Sequence, residues 1–166
     1  MSEAASRLCQ ACGFCCDGTL FDGILVNEGD LAGVTRARLP LFRDDGRPTL
    51  RLPCPAHSGA CTVYEERPST CRTYQCELVT RLERGDLDLP SALLRIERLR
   101  ALVDAIKPHL GAAGESFWDR VGALQARPFA WQIEPENEAL MLQIATLQEM
   151  LARFIDARSR RSGPTI

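Results

Sequence analysis

No apolar run in this chain approaches the roughly 20 residues that a helix needs to cross a bilayer, and Met1 to Arg7 lack the apolar segment of a secretory signal. The expectation is a soluble, cytosolic (cytoplasmic) protein with no membrane partner. Charge asymmetry is lacking too: the net charge is −2, and each side of Gly85 carries 10 basic and 11 acidic residues. Neither half has the basic field of a nucleic-acid binder, so no nucleic acid is expected as a partner. P-loops, G-x-G-x-x-G turns and Ser/His/Asp arrangements are absent, which leaves NTPases, dinucleotide enzymes and serine-type hydrolases without support. Histidine is scarce, and beyond Cys76 cysteine is missing altogether.

What is present is concentrated. All eight cysteines lie in one stretch, as Cys9, Cys12, Cys15, Cys16, Cys54, Cys61, Cys71 and Cys76. In a compartment that keeps thiols reduced, such clustering points to metal ligation over disulfides or buried apolar thiols. Cys9, Cys12 and Cys15 are spaced three apart, so one tight loop, with Gly13 supplying a positive φ, can aim their sulfurs at one point. Bacterial ferredoxins use this C-x2-C-x2-C run together with a remote Cys-Pro, a form that Cys54-Pro55 has. The C-x3-C-x2-C spacing of radical-SAM enzymes is absent. Cys16 stands apart because adjacent side chains diverge; a second metal, a bridge between metals and a reactive thiol are its open roles. Eight thiolates can make two closed zinc sites, a cubane plus a zinc, or one cluster with spare ligands. Arg67 and Arg72 bracket Cys71 and suit the offsetting of thiolate charge. His57, close after Cys54, is a candidate nitrogen ligand, weighed against the simpler reading of an exposed loop histidine.

Turn chemistry predicts two strand–turn–strand units: Thr19–Phe21 and Ile24–Val26 around Asp22-Gly23, and Leu39–Phe42 and Thr49–Leu52 around Asp45-Gly46. Between them Asn27 reads as the cap of a short helix that ends before Gly33. Cys71 to Arg84 reads as one helix with Cys76 in its first turn, where N–H groups favour thiolate, and Gly85 as the stop. From Asp86 the apolar period is helical. Ile96, Leu99, Val103, Ile106 and Leu110 share a face, with Asp88 as cap and Pro108 as terminator; Phe117, Val121 and Leu124 mark a second helix, and Leu140 to Phe154 a longer one from near Pro135. Tyr64, Tyr74, Trp118 and Trp131 are expected to pack, the tyrosines beside the cysteines and the tryptophans as core anchors.

The run Cys9-x2-Cys12-Gly-Phe-Cys15-Cys16, then Cys54, then Cys61-Thr-Val-Tyr64-Glu-Glu-Arg67-Pro68-Ser-Thr-Cys71-Arg72-Thr-Tyr74-Gln-Cys76 resembles the CxxCxxCC cysteine-cluster family. That resemblance implies a zinc- or iron-chelating domain of a kind often labelled Fe–S cluster-containing, and each family cysteine has a counterpart here. Flagellin lysine N-methylases carry a similar cysteine pattern in longer chains, which implies methyl transfer as an alternative.

The expected fold class is α+β, mainly α. A small metal-stapled, cysteine-rich module with short hairpins (1–85) precedes an amphipathic helical region packed on it (86–157) and a disordered tail (158–166). The expected function is to hold zinc or an iron–sulfur cluster through the eight cysteines. The alternatives are an Fe–S-dependent oxidoreductase or methyl-transfer enzyme, and a structural zinc module that contacts a protein partner through its helices.

Overall fold

Helix α1 (Glu3–Cys12) opens the chain, capped by the Ser2 hydroxyl, which accepts from the Ala5 N–H at 3.2 Å, and closed by Gly13 in the left-handed region at φ 68°. The computed structural model describes residues 1–111 and 116–154. Cys9 and Cys12 therefore lie in the last turn of a helix and not in a loop. Good helix formers between two strong caps, with Ala5 and Leu8 buried on one face, explain the difference.

A three-stranded antiparallel sheet follows, in the order β1 (Gly23–Leu25), β3 (Arg47–Arg51), β2 (Leu41–Asp44). The β2–β3 hairpin turns at Asp45-Gly46, as expected, with both residues at positive φ (46° and 78°), the geometry a two-residue primed turn requires. The hairpin expected at Asp22-Gly23 does not form. Instead β1 pairs with the distant β3, in a register that sets buried Ile24 opposite buried Leu50. Non-local burial outweighs the local turn signal there.

The short helix after Asn27 also differs. A 3₁₀ turn (Glu28–Asp30) leads into α2 (Leu31–Arg36), which runs through Gly33. Asn27 makes no side-chain cap; its amide donates to Ser69 Oγ at 2.8 Å, and Asp30 accepts from the Ser69 N–H at 2.9 Å and from the Ser69 hydroxyl. The single helix expected from Cys71 is two, α3 (Ser69–Thr73) and α4 (Glu77–Arg84), separated where Tyr74 and Cys76 turn extended. Tyr74 leaves the helical path to pack edge-on against Phe21, centroids 5.2 Å apart.

The remaining helices are α5 (Leu89–Ile106), α6 (Phe117–Gln125), α7 (Phe129–Gln132) and α8 (Pro135–Phe154). Asp88 caps α5 through the Ser91 N–H at 2.7 Å, and a 3₁₀ turn over Lys107–His109 ends it at Pro108. The predicted stripes of α5, α6 and α8 are buried against one another. The class is thus mainly α within α+β. No helix among the described residues is long and apolar enough to cross a membrane. The tail expected to be disordered, 158–166, lies outside the described residues.

Three cores meet at the cysteines. One joins α5, α6 and α8 and takes in Phe14; Cys12 and Cys76 pack against it. A second joins α1, α4 and α5, touching Cys9, Cys12 and Cys76. The third lies under the sheet and touches Cys54. Three long-range bonds from two side chains fasten the cysteine loop to the helices: Arg100 Nη2 donates to Ala11 O and Cys12 O at 2.8 and 2.7 Å, and Trp118 Nε1 donates to Thr19 O at 2.9 Å.

Candidate metal centre

All eight cysteines are free, half-buried and gathered round one cavity of about 170 Å³. Cys9 and Cys12 are one turn apart on the last turn of α1. Gly13 then reverses the chain, with the Cys16 N–H donating to Gly13 O at 2.7 Å, so that Cys15 and Cys16 follow at once. Cys76 arrives as the N-cap of α4, which packs on α1. Cys54 is bound to the first group through its own N–H, which donates to Cys16 O at 2.7 Å. The segment from Cys54 to Cys61 closes on itself by a bridge between His57 and Cys61 and by Thr62 N–H donating to Ala56 O at 2.8 Å. Cys71 rides on α3, which is held by the Thr70 hydroxyl donating to Leu25 O at 2.8 Å.

Burial dominates the chemistry of seven of these thiols. It pushes Cys9 up from 9.0 to about 11, helped by Cys76 and opposed by Arg67. It pushes Cys12 up to about 12, with the Phe14 N–H opposing and Cys76 and Cys9 adding. Cys15 is raised well above 9.0, by burial and then by Cys12, Cys76, Cys16 and Cys9. Cys16 rises to about 12 through burial, then Cys54, Cys61 and Cys71. Cys71 rises to about 11 through burial, then Cys54 and Cys61, with Arg67 opposing. Burial also raises Cys54 and Cys76, against the N–H of Ala56 in the first case and those of Val79 and Leu78 in the second. Cys76 is thus the cap residue of α4 and not a member of its first turn, and its side chain makes no cap hydrogen bond; the nearby backbone N–H groups still favour its thiolate.

Without a cation these thiols hold their protons through the neutral range, yet ligation requires thiolates. Every resolved cysteine shift is upward, so loading must displace protons, and the affinity for metal falls as pH falls. Apparent affinity for Zn²⁺ or Fe²⁺ is expected to rise steeply between about pH 6 and about pH 8, with protons released on loading. Competition titrations with a chromophoric chelator at several pH values check this; a pH-independent affinity contradicts it.

The groups around the cavity fit a bound metal or cluster. His57 Nε2, Arg67 Nε and the Tyr64 hydroxyl are buried, line the cavity and make no hydrogen bond among the described residues. Arg67 stacks on Tyr64, its guanidinium carbon 3.5 Å from the ring centroid. Such donors are what metal-bound sulfur accepts. His57 sits so close over Gly13 that a Cβ there would meet its Nε2 at 2.5 Å. The glycine is thus favoured by its φ, and any Cβ there would push the imidazole aside. Among the described residues no three Cys, His, Asp or Glu side chains form a closed group round one ion position; they share a cavity.

Sequence spacing pointed to Cys54-Pro55 as the remote partner of Cys9, Cys12 and Cys15. In the structure α4 packs on α1, and Cys76 packs against the same core as Cys9 and Cys12, whereas Cys54 packs against the core under the sheet. Arg72, expected beside the thiols, forms an ion pair with Asp30 at 3.8 Å. Arg100 was not foreseen: it draws Cys12 toward the thiolate and holds the end of α1 from 88 residues away, and no local signal marks it.

Residues 8–88 match the family model CxxCxxCC, described as "Putative zinc- or iron-chelating domain". No curated protein and no solved structure matches the chain.

Proposed function

We propose that this chain, whose residues 8–88 match the CxxCxxCC family model, holds iron–sulfur groups through its eight cysteines. The observation that supports the choice of metal is that all eight cysteines line one shared cavity together with apolar side chains. A lone zinc draws its ligands to about 2.3 Å and leaves no space for a solvent-sized sphere. A cavity of about 170 Å³ is more than ten times the roughly 10–15 Å³ that one water needs. Space on that scale, walled by thiols and apolar side chains, suits a polynuclear group. The chain's own part is to gather the thiols, exclude bulk water and offer His57, Arg67 and Tyr64 as donors to sulfur.

Zinc is the second reading, favoured by His57. Its buried Nε2 at the cavity is a nitrogen that zinc accepts alongside thiolate. Anaerobic purification separates the two. Broad visible charge-transfer absorption with iron and acid-labile sulfide supports the first reading. A colourless protein with stoichiometric zinc overturns it in favour of the second, and protein purified without either metal overturns both.

A further inference from the structure

We infer that the eight thiols form two sites of four, Cys9, Cys12, Cys15 and Cys76 in one and Cys16, Cys54, Cys61 and Cys71 in the other. The adjacent Cys15 and Cys16 then serve different sites. This deepens the metal-holding reading and rests on it, for iron–sulfur and zinc alike.

Separate parts of the fold position each set. Cys9, Cys12 and Cys76 pack against one core of α1 and α4 residues, among them Ala5, Leu8, Leu78 and Val79. Gly13 brings Cys15 back beside them. Cys16 is tied instead to Cys54 by the bond from Cys54 N–H to Cys16 O. The closed segment that follows delivers Cys61, and α3, anchored to the end of β1 through Thr70, delivers Cys71. The three-residue spacing of Cys9, Cys12 and Cys15 already sets Cys16 apart, and consecutive side chains leaving the backbone in different directions carry the division between Cys15 and Cys16.

Electrostatic proximity gives the same division. Cys9, Cys12 and Cys15 each feel Cys76, and Cys15 also feels Cys12 and Cys9, whereas Cys16 and Cys71 both feel Cys54 and Cys61. The coupling between the sets joins Cys15 to Cys16, which are chain neighbours. Arg67 lies where both sets feel it, since it draws Cys9 and Cys71 alike toward the thiolate. Two sites of four thiolates are each strongly negative, and a cation shared between them lessens their repulsion.

The test uses two paired variants of the full chain purified anaerobically, Cys12→Ser with Cys76→Ser and Cys61→Ser with Cys71→Ser. Metal per chain is measured, and thiols open to alkylation are mapped by mass spectrometry. Each variant is expected to keep about half the wild-type metal, with the intact set protected and the two surviving thiols of the broken set labelled. Since a variant can misfold, the wild-type chain is also partly stripped by chelator and then alkylated; labelled thiols are expected to appear by sets. Mixed labelling across both sets on partial stripping of a metal-loaded wild-type protein overturns the two-site division and leaves the metal-holding reading intact. A wild-type protein without metal and with all eight thiols labelled overturns that reading, and the division with it.

Discussion

Complete removal of metal by a strong chelator under reducing conditions is expected to abolish amide protection in β1, β3, α3 and the Cys54–Cys61 segment, while α5, α6 and α8 keep theirs. The core beneath the sheet consists of Val26, Val34, Leu39, Leu50 and Ala56. Burying such side chains contributes about 1.5–3 kcal/mol each at best, whereas ordering the chain costs roughly 1.5 kcal/mol for every residue fixed. Five small and medium side chains cannot hold the sheet, its loops and the Cys54–Cys61 segment. Thiolate ligation can: structural zinc contributes about 10–16 kcal/mol in small peptides. The helical core is larger, with Leu99, Val103, Ile106, Val121, Ile144 and Leu147 at or below 1% exposure, and so it persists. Hydrogen exchange read by mass spectrometry checks the difference. The Val26 N–H, which donates to Pro48 O at 2.9 Å, is the most direct probe. Protection at Val26 and Cys54 that survives full metal removal would refute a structural role for the metal.

Local signals were the legible ones. Asp45-Gly46 set its hairpin because a primed turn needs two residues that tolerate positive φ, and both adopt it here. Asp88, Pro108 and the apolar period bounded α5 for similar reasons. Errors fell where distant groups decide. Asn27 has the composition of a cap, but Ser69 lies across from it and takes its amide. Asp22-Gly23 has the composition of a turn, but β3 offers Leu50 as a buried partner for Ile24.

The cysteines divide along the same line. Their identity as a cluster was evident from spacing, and every one of them lines the cavity. Which remote cysteine packs beside Cys9 and Cys12 was not, because linear distance does not rank Cys54 against Cys76. That ranking depends on α1 packing against α4 and on the extended break at Tyr74, both products of tertiary contact. Arg100 was invisible for the same reason.

Phe14→Ala is expected to destabilise the protein by about 3–5 kcal/mol, the usual range for truncating a buried aromatic. Phe14 is 1% exposed and belongs to the core of α5, α6 and α8, although it sits in the chain between Cys12 and Cys15. Its ring lies under Arg100, whose guanidinium carbon is 5.6 Å from the ring centroid. The same guanidinium holds Ala11 O and Cys12 O, and the Leu20 N–H donates to Phe14 O at 3.1 Å. Loss of the ring therefore opens a void in the helical core and releases the loop that carries Cys15 and Cys16. For a chain of this size the melting midpoint should fall by roughly 6–20 °C, and metal should be lost more readily to a competing chelator. Phe129→Ala removes an equal ring that is 74% exposed, and such surface changes stay within about 0.5 kcal/mol. If the two substitutions lower the midpoint equally, Phe14 is not the anchor that joins the cysteine loop to the helices.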